Sequence, residues 1–139
     1  KQCLVGSEMC IRDSASTIKM LRSVMVKGME ALTVECFRAA ARAGVAEEVA
    51  NSLDASEGGL GWAEQTAYNM ERMTAHGIRR AAEMREVAKT LRGLDVAPVM
   101  TTGTISWEEE MGALDLSLDS GTPLAEQLTL IERALEKGE

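Results

Sequence analysis

The chain has 139 residues, of which 45% are hydrophobic and only 3% aromatic, and it carries a formal net charge of -7. Such an acidic chain is a poor nucleic-acid ligand, and no apolar run approaches the roughly 18 residues that a membrane span needs. Of its 3 cysteines, Cys3 and Cys10 lie in the unpatterned first 14 residues, and the one that remains, Cys36, makes neither a disulfide framework nor a zinc site, so no metal is expected. Its wealth of Ala, Leu, Met and Glu favours helices, so an all-α domain with a single core is expected.

Residues 1–14, which contain CLVGSEMCIRDS, show neither period 2 nor period 3.6. Gly6, Ser7 and Glu8 cut the apolar run short after Cys3, Leu4 and Val5, so the stretch is no secretory signal, and a cytoplasmic location is expected. The string resembles a peptide produced when adaptor DNA at the ends of environmental sequences is translated by mistake; a short disordered native terminus is the alternative. Residues 1–14 are therefore expected to be a prefix outside the fold, with the domain spanning 15–139. Cys36 is then the one cysteine in patterned sequence, read as a small buried apolar residue rather than a nucleophile.

Ser16 and Thr17 are placed to cap a first helix running to about Ala43, with Ile18, Leu21, Met25, Gly28, Leu32 and Cys36 as its apolar stripe and Gly44 as its stop. A short helix in VAEEVANSLD and a turn in ASEGGLG follow. That glycine cluster lacks the G-x-G-x-x-G spacing and a preceding strand, so it is no phosphate loop. Trp62 to Leu94 is helical again, as one helix or as two broken near Gly77. Pro98 opens another helical stretch through SWEEEMGALDLSL, and Thr122 with Pro123 caps the last, PLAEQLTLIERALEK. The sum is a bundle of five to seven helices.

Two polar constellations stand out. Lys19, Arg22, Ser23, Val26, Lys27 and Glu30 share one face of the first helix, and an ammonium and a hydroxyl one turn apart, at Lys19 and Ser23, suit one small polar ligand. A solvated lysine is the alternative. His76, Arg79, Arg80 and Glu83 recur at helical offsets further on, where two guanidinium groups beside the only histidine suit a bound anion; a solvated face is the alternative. Charge is also unevenly spread. Arg72, Arg79, Arg80, Arg85, Lys89 and Arg92 crowd the middle, while Glu108, Glu109, Glu110 and six further acids dominate residues 107–139. The basic run is read either as a site for an anionic ligand or as ordinary ion pairs.

The segments ASTIKMLRSVMVKGMEALTVECFRAAARAGV and YNMERMTAHGIRRAAEMREVAKTL resemble the C-terminal helical domain of NAD(P)-dependent dehydrogenases related to 6-phosphogluconate dehydrogenase and 3-hydroxyisobutyrate dehydrogenase. The likeness is strongest to the subgroup whose C-terminal domain is catalogued as of unknown function, and it covers almost everything after Ser14. It implies a 6-phosphogluconate dehydrogenase C-terminal-domain-like fold. It also implies a preceding Rossmann domain, absent from this sequence, that binds NAD or NADP and forms a cleft with the helical domain.

In that family a glycine-rich approach leads to K-x-x-x-N, whose lysine acts as general acid or base at the substrate hydroxyl. Lys19 matches the lysine, Ser23 stands at the asparagine position, and Asp13-Ser14-Ala15-Ser16 replaces the glycines. His76 falls where hydroxyacid dehydrogenases of the family often carry a second lysine. The resemblance thus implies a domain that binds an anionic hydroxy acid or sugar acid, with or without decarboxylation, with Lys19 catalytic, Ser23, His76, Arg79 and Arg80 contacting substrate, and pairing into a homodimer. A homodimer is also suggested by the apolar face Leu124, Leu128, Ile131 and Leu135 of the last helix. Without its Rossmann domain the fragment should not turn over. The competing reading is a free-standing helical interaction module without catalysis.

Overall fold

The computed structural model describes residues 7–56, 61–119 and 121–138, with side chains from Ser14 onward. Five helices follow in chain order: α1 (Ser7–Ala43), α2 (Ala46–Ser56), α3 (Trp62–Gly93), α4 (Val99–Gly112) and α5 (Leu124–Lys137). No strand occurs among the described residues, and no helix there is long and apolar enough to cross a membrane. The fold is the all-α bundle that the composition and the resemblance called for.

The helix boundaries have local causes. At the end of α1 the Gly44 N–H donates to the Ala41 carbonyl and the Val45 N–H to that of Ala40, with Gly44 at φ 74. This left-handed turn is the one glycine tolerates best. The start differs from expectation. Ser16 and Thr17 lie inside α1 and cap nothing, because no proline or glycine between Ser7 and Ala15 stops the helix from extending upstream. Of the suspected prefix, residues 1–6 lie outside the described residues, and the backbone of 7–13 is helical. Asp54 of α2 accepts a 3.0 Å bond from the Trp62 N–H at the start of α3, so one helix helps cap the next.

α3 passes through Gly77 unbroken. A Cβ added there would lie 2.1 Å from the Glu108 carbonyl oxygen, and one added at Gly112 would lie 2.5 Å from the Ile78 nitrogen. Gly77 is thus the point where α3 and α4 meet backbone to backbone rather than a hinge. α4 is shorter than its sequence stretch: it ends at Gly112, and Asp115 at φ 51 turns the chain so that Leu114, Leu116 and Leu118 lie against the core as a strap. α5 starts at Leu124, with Pro123 rather than Thr122 at its cap position.

The main core joins Val34 and Phe37 of α1, Met70 and Met73 of α3, Met111 of α4 and Leu128 and Ile131 of α5. A smaller cluster of Met84, Val87 and Leu91 packs against Met20, Val24 and Ile105. With 1 Phe and 9 Met in the chain, flexible thioethers fill the volume that rings fill elsewhere. Two expectations reverse here. The stripe Ile18, Leu21, Met25 and Leu32 is exposed, as is Cys36, because the neighbouring stripe of Met20, Val24, Ala31 and Val34 is the one that meets α3. Conversely, Leu124, Leu128 and Ile131 of α5 are buried within the chain itself and are not a free face.

Candidate functional site

Successive helical residues point about 100° apart, and this geometry separates residues that adjoin in sequence. Arg79 is exposed and donates to Glu83 at 2.9 Å, an acid that Lys27 also approaches at 3.4 Å. Arg80 turns inward and is 4% exposed. Its Nη2 bonds the Glu30 carboxylate of α1, and its Nε donates to Glu108 of α4 at 3.4 Å. Arg80 therefore ties α1, α3 and α4 together. His76 is exposed on the Arg79 side, so the expected His76, Arg79 and Arg80 constellation is divided between the surface and the interior.

Lys19 is exposed and has no ion-pair partner among the described residues. Ser23, one turn on, donates its hydroxyl to the Lys19 carbonyl at 3.0 Å. The rest of that helix face leads into a groove of about 660 Å³ between α1 and α3. Arg22, Val26, Lys27, Met29 and Glu30 form one wall, and Trp62, Gln65, Tyr68, Asn69, Arg72 and Arg80 form the other wall and the floor. Asn69, itself buried, donates to Thr33 and accepts from Gln65, both at 3.1 Å. Of the residues expected to be catalytic or to contact substrate, only Arg80 reaches this groove; Lys19 and Ser23 stand beyond its Arg22 end on the same helix.

The interior charges set the electrostatics. Glu108 is fully buried. Burial pushes its carboxyl up to about 7, Arg80 opposes the shift and Glu30 adds to it. Glu132 on α5 behaves oppositely. Although its partial burial raises it, the hydrogen bond from Arg42 and the charges of Arg38 and Arg42 prevail and hold it below the usual carboxylate value. The basic middle of the chain is largely neutralised from within: Arg80 meets Glu30 and Glu108, Arg85 meets Glu109, Arg79 meets Glu83, and Lys89 meets Glu86. Among the described residues no three His, Cys, Asp or Glu side chains converge as a metal site.

Sequence reasoning missed Glu30 and Glu108 as buried partners. Glu108 was hidden in a run of three glutamates that reads as surface, and its only signal was its helical spacing from Thr101, Thr104 and Met111, which share its buried face. Arg72, which stacks over Tyr68 at 5.6 Å, was visible only as one of six basic residues.

The fold is an all-α helical domain similar to parts of solved structures. More narrowly, residues 40–111 match the family described as a domain of unknown function, DUF1932, and the chain belongs to that family. A conserved hypothetical protein of Sinorhizobium meliloti 1021 is similar in structure, with TM-score 0.79 and 32% identity over 87% of this chain and 41% of its own. The conserved protein MTH1747, of unknown function but described as structurally similar to 3-hydroxyacid dehydrogenases, gives TM-score 0.64 and 36% identity over 72% of this chain and 38% of its own. The chain thus spans about two fifths of the length of these solved structures. No curated protein matches it.

Proposed function

We propose that this domain serves the substrate side of an NAD(P)-dependent dehydrogenase acting on a hydroxy acid or sugar acid, with Lys19 as general acid or base. One observation carries the reading. Within a domain similar to a 3-hydroxyacid dehydrogenase-like protein, Lys19 projects from an exposed stretch of α1 without an ion-pair partner among the described residues, one turn from the Ser23 hydroxyl. Oxidation of a carbinol requires the hydroxyl proton to leave, and Lys19 would receive it as the neutral amine, becoming an ammonium. Ser23 would then orient the same oxygen. The described residues form no strand–loop–helix crevice for a dinucleotide, so the cofactor does not fit this chain alone. Its binding would belong to a preceding domain.

The test is turnover of a panel of short 2- and 3-hydroxy acids and sugar acids, with NAD and with NADP, by a full-length protein carrying this domain. Lys19→Ala should lower kcat on the order of 100-fold while leaving cofactor affinity nearly intact. Near-normal turnover would remove Lys19 from the mechanism.

An interaction role is favoured by a different observation, the exposed apolar stripe of Ile18, Met25 and Leu32 on α1. A homodimer is proposed through this stripe, since the α5 face is occupied within the chain. Sedimentation equilibrium of the wild-type chain and of Met25→Glu separates the cases: loss of a dimer in the variant supports pairing through α1, and a dimer unaffected by it excludes that surface.

A further inference from the structure

We propose that the groove between α1 and α3 binds an organic anion with an apolar or aromatic body, its charged end held by Arg22 and Arg72. The groove's volume of about 660 Å³ lies in the range of small-molecule sites, roughly 300–1,000 Å³. Its floor is built rather than incidental, since Glu30, Asn69 and Arg80 are each 4% exposed and held by hydrogen bonds to one another's elements.

Charge points to the sign of the ligand. Four basic side chains, Arg22, Lys27, Arg72 and Arg80, line the groove against a single acid, Glu30, although the chain as a whole is acidic. The acid is already compensated: Arg80 bonds one carboxylate oxygen, and Arg72 lies 3.9 Å from the other. Lys27 is engaged by Glu83. Arg22 has no ion-pair partner among the described residues, and Arg72 has only its long contact to Glu30. Two guanidinium groups thus retain N–H donors, in the planar geometry that a carboxylate or phosphate accepts. Arg72 is also held in place by the Tyr68 ring beneath it.

Apolar surface points to the rest of the ligand. Val26 and Met29 are each 39% exposed and Tyr68 is 46% exposed, and with Trp62 they line the same groove. A bare inorganic anion would leave these groups in water, whereas a hydrocarbon or aryl body would cover them. The inference concerns binding alone and stands whether or not Lys19 handles a proton.

The test titrates the 139-residue chain with 3-phenylpropionate, 3-phenylpropanol, propionate and inorganic phosphate, following the Trp62 indole N–H by heteronuclear NMR, with Trp62→Phe to assign the signal. Saturable shifts with 3-phenylpropionate are expected, weakened at least about fivefold by Arg72→Gln and by Arg22→Gln, and weakened as salt rises from about 50 to 500 mM. The alcohol, propionate and phosphate should each bind about tenfold more weakly, the alcohol for want of charge and the others for want of a body. Arg22 is exposed, so its variant reads the contact without disturbing the core. The proposal is overturned if the acid gives no saturable shift, if the alcohol matches it, if phosphate matches it, or if the folded arginine variants bind as the wild type does.

Discussion

Two stretches of α1 share a helix and a composition but not an environment. Between residues 14 and 29 no side chain is buried, whereas between 30 and 43 Glu30, Ala31, Thr33, Val34, Phe37, Arg38 and Ala40 all are. The first stretch packs its apolar residues Met20 and Val24 against the smaller cluster at the far end of α3; the second is enclosed by α2, α3, α4 and α5. Apolar residues recur at helical spacing along both. The difference teaches that periodicity defines a face, while the number of neighbouring helices decides whether that face is buried. It also explains why the outward stripe of the open stretch is apolar yet unused within the chain.

The strongest way to break this contrast is truncation in each stretch. Phe37→Ala should cost about 3–5 kcal/mol, the usual loss for a fully enclosed ring, whereas Met25→Ala should change stability by less than about 0.5 kcal/mol. Urea denaturation midpoints measure both, and equal losses would show that the open stretch is as tightly packed as the other.

Glycine substitution sharpens the comparison from another side. Gly77→Ala sets a methyl against the α4 backbone and should cost about 1–3 kcal/mol by overpacking. Gly28, in the open stretch, has only the Thr104 hydroxyl oxygen at 3.9 Å from an added Cβ. Gly28→Ala should therefore stabilise by about 0.5–1 kcal/mol through helix propensity. Thermal melts of the two variants should move in opposite directions.

The buried charges around the enclosed stretch give the fold a pH response. The unfolded chain releases the Glu108 proton near 4.5 and the folded protein only near 7. Between those values the folded state holds more protons, so this group's stabilising contribution is full at low pH and falls as pH rises through the window. The Glu132 effect runs the other way and lies below the ordinary carboxylate value, outside this window. Glu108→Gln should flatten the slope and be more stable than the wild type at pH 8 by about 1–3 kcal/mol. A slope unchanged in the variant would assign it to another group. The smallest effect is expected at the surface, where Arg79→Gln removes an exposed pair at helical spacing and should cost no more than about 0.5 kcal/mol.

The fold was largely legible in the sequence because its signals are local. Gly44 ends α1 by a backbone requirement, and α2 and α3 are separate helices as expected, while most of the turn expected in ASEGGLG, residues 57–60, lies outside the described residues. What was illegible depended on distant partners. Nothing within α3 says that Gly77 faces Gly112 rather than marking a break, and nothing within α1 says which of two adjacent apolar stripes has a neighbour. The site followed the same rule. Lys19 and Ser23 share a turn, so their proximity could be read directly. The partnership of Arg80 with Glu30 and Glu108 spans 50 and 28 residues respectively, and only folding brings those carboxylates to one guanidinium.

The run Glu108–Glu109–Glu110 has a consequence for the rotational setting of α4. Each carboxylate takes a different arginine: Arg80 and Arg85 on α3 and Arg38 on α1. Three consecutive residues about 100° apart are thus keyed to three fixed sockets, like the teeth of a spline. One residue inserted ahead of Ser106 would turn every key away from its socket at once and rotate Gly112 off Gly77. The same insertion among residues 113–119 would lengthen the strap and leave the keys engaged. Length variation in this domain should therefore be confined to the strap side of α4.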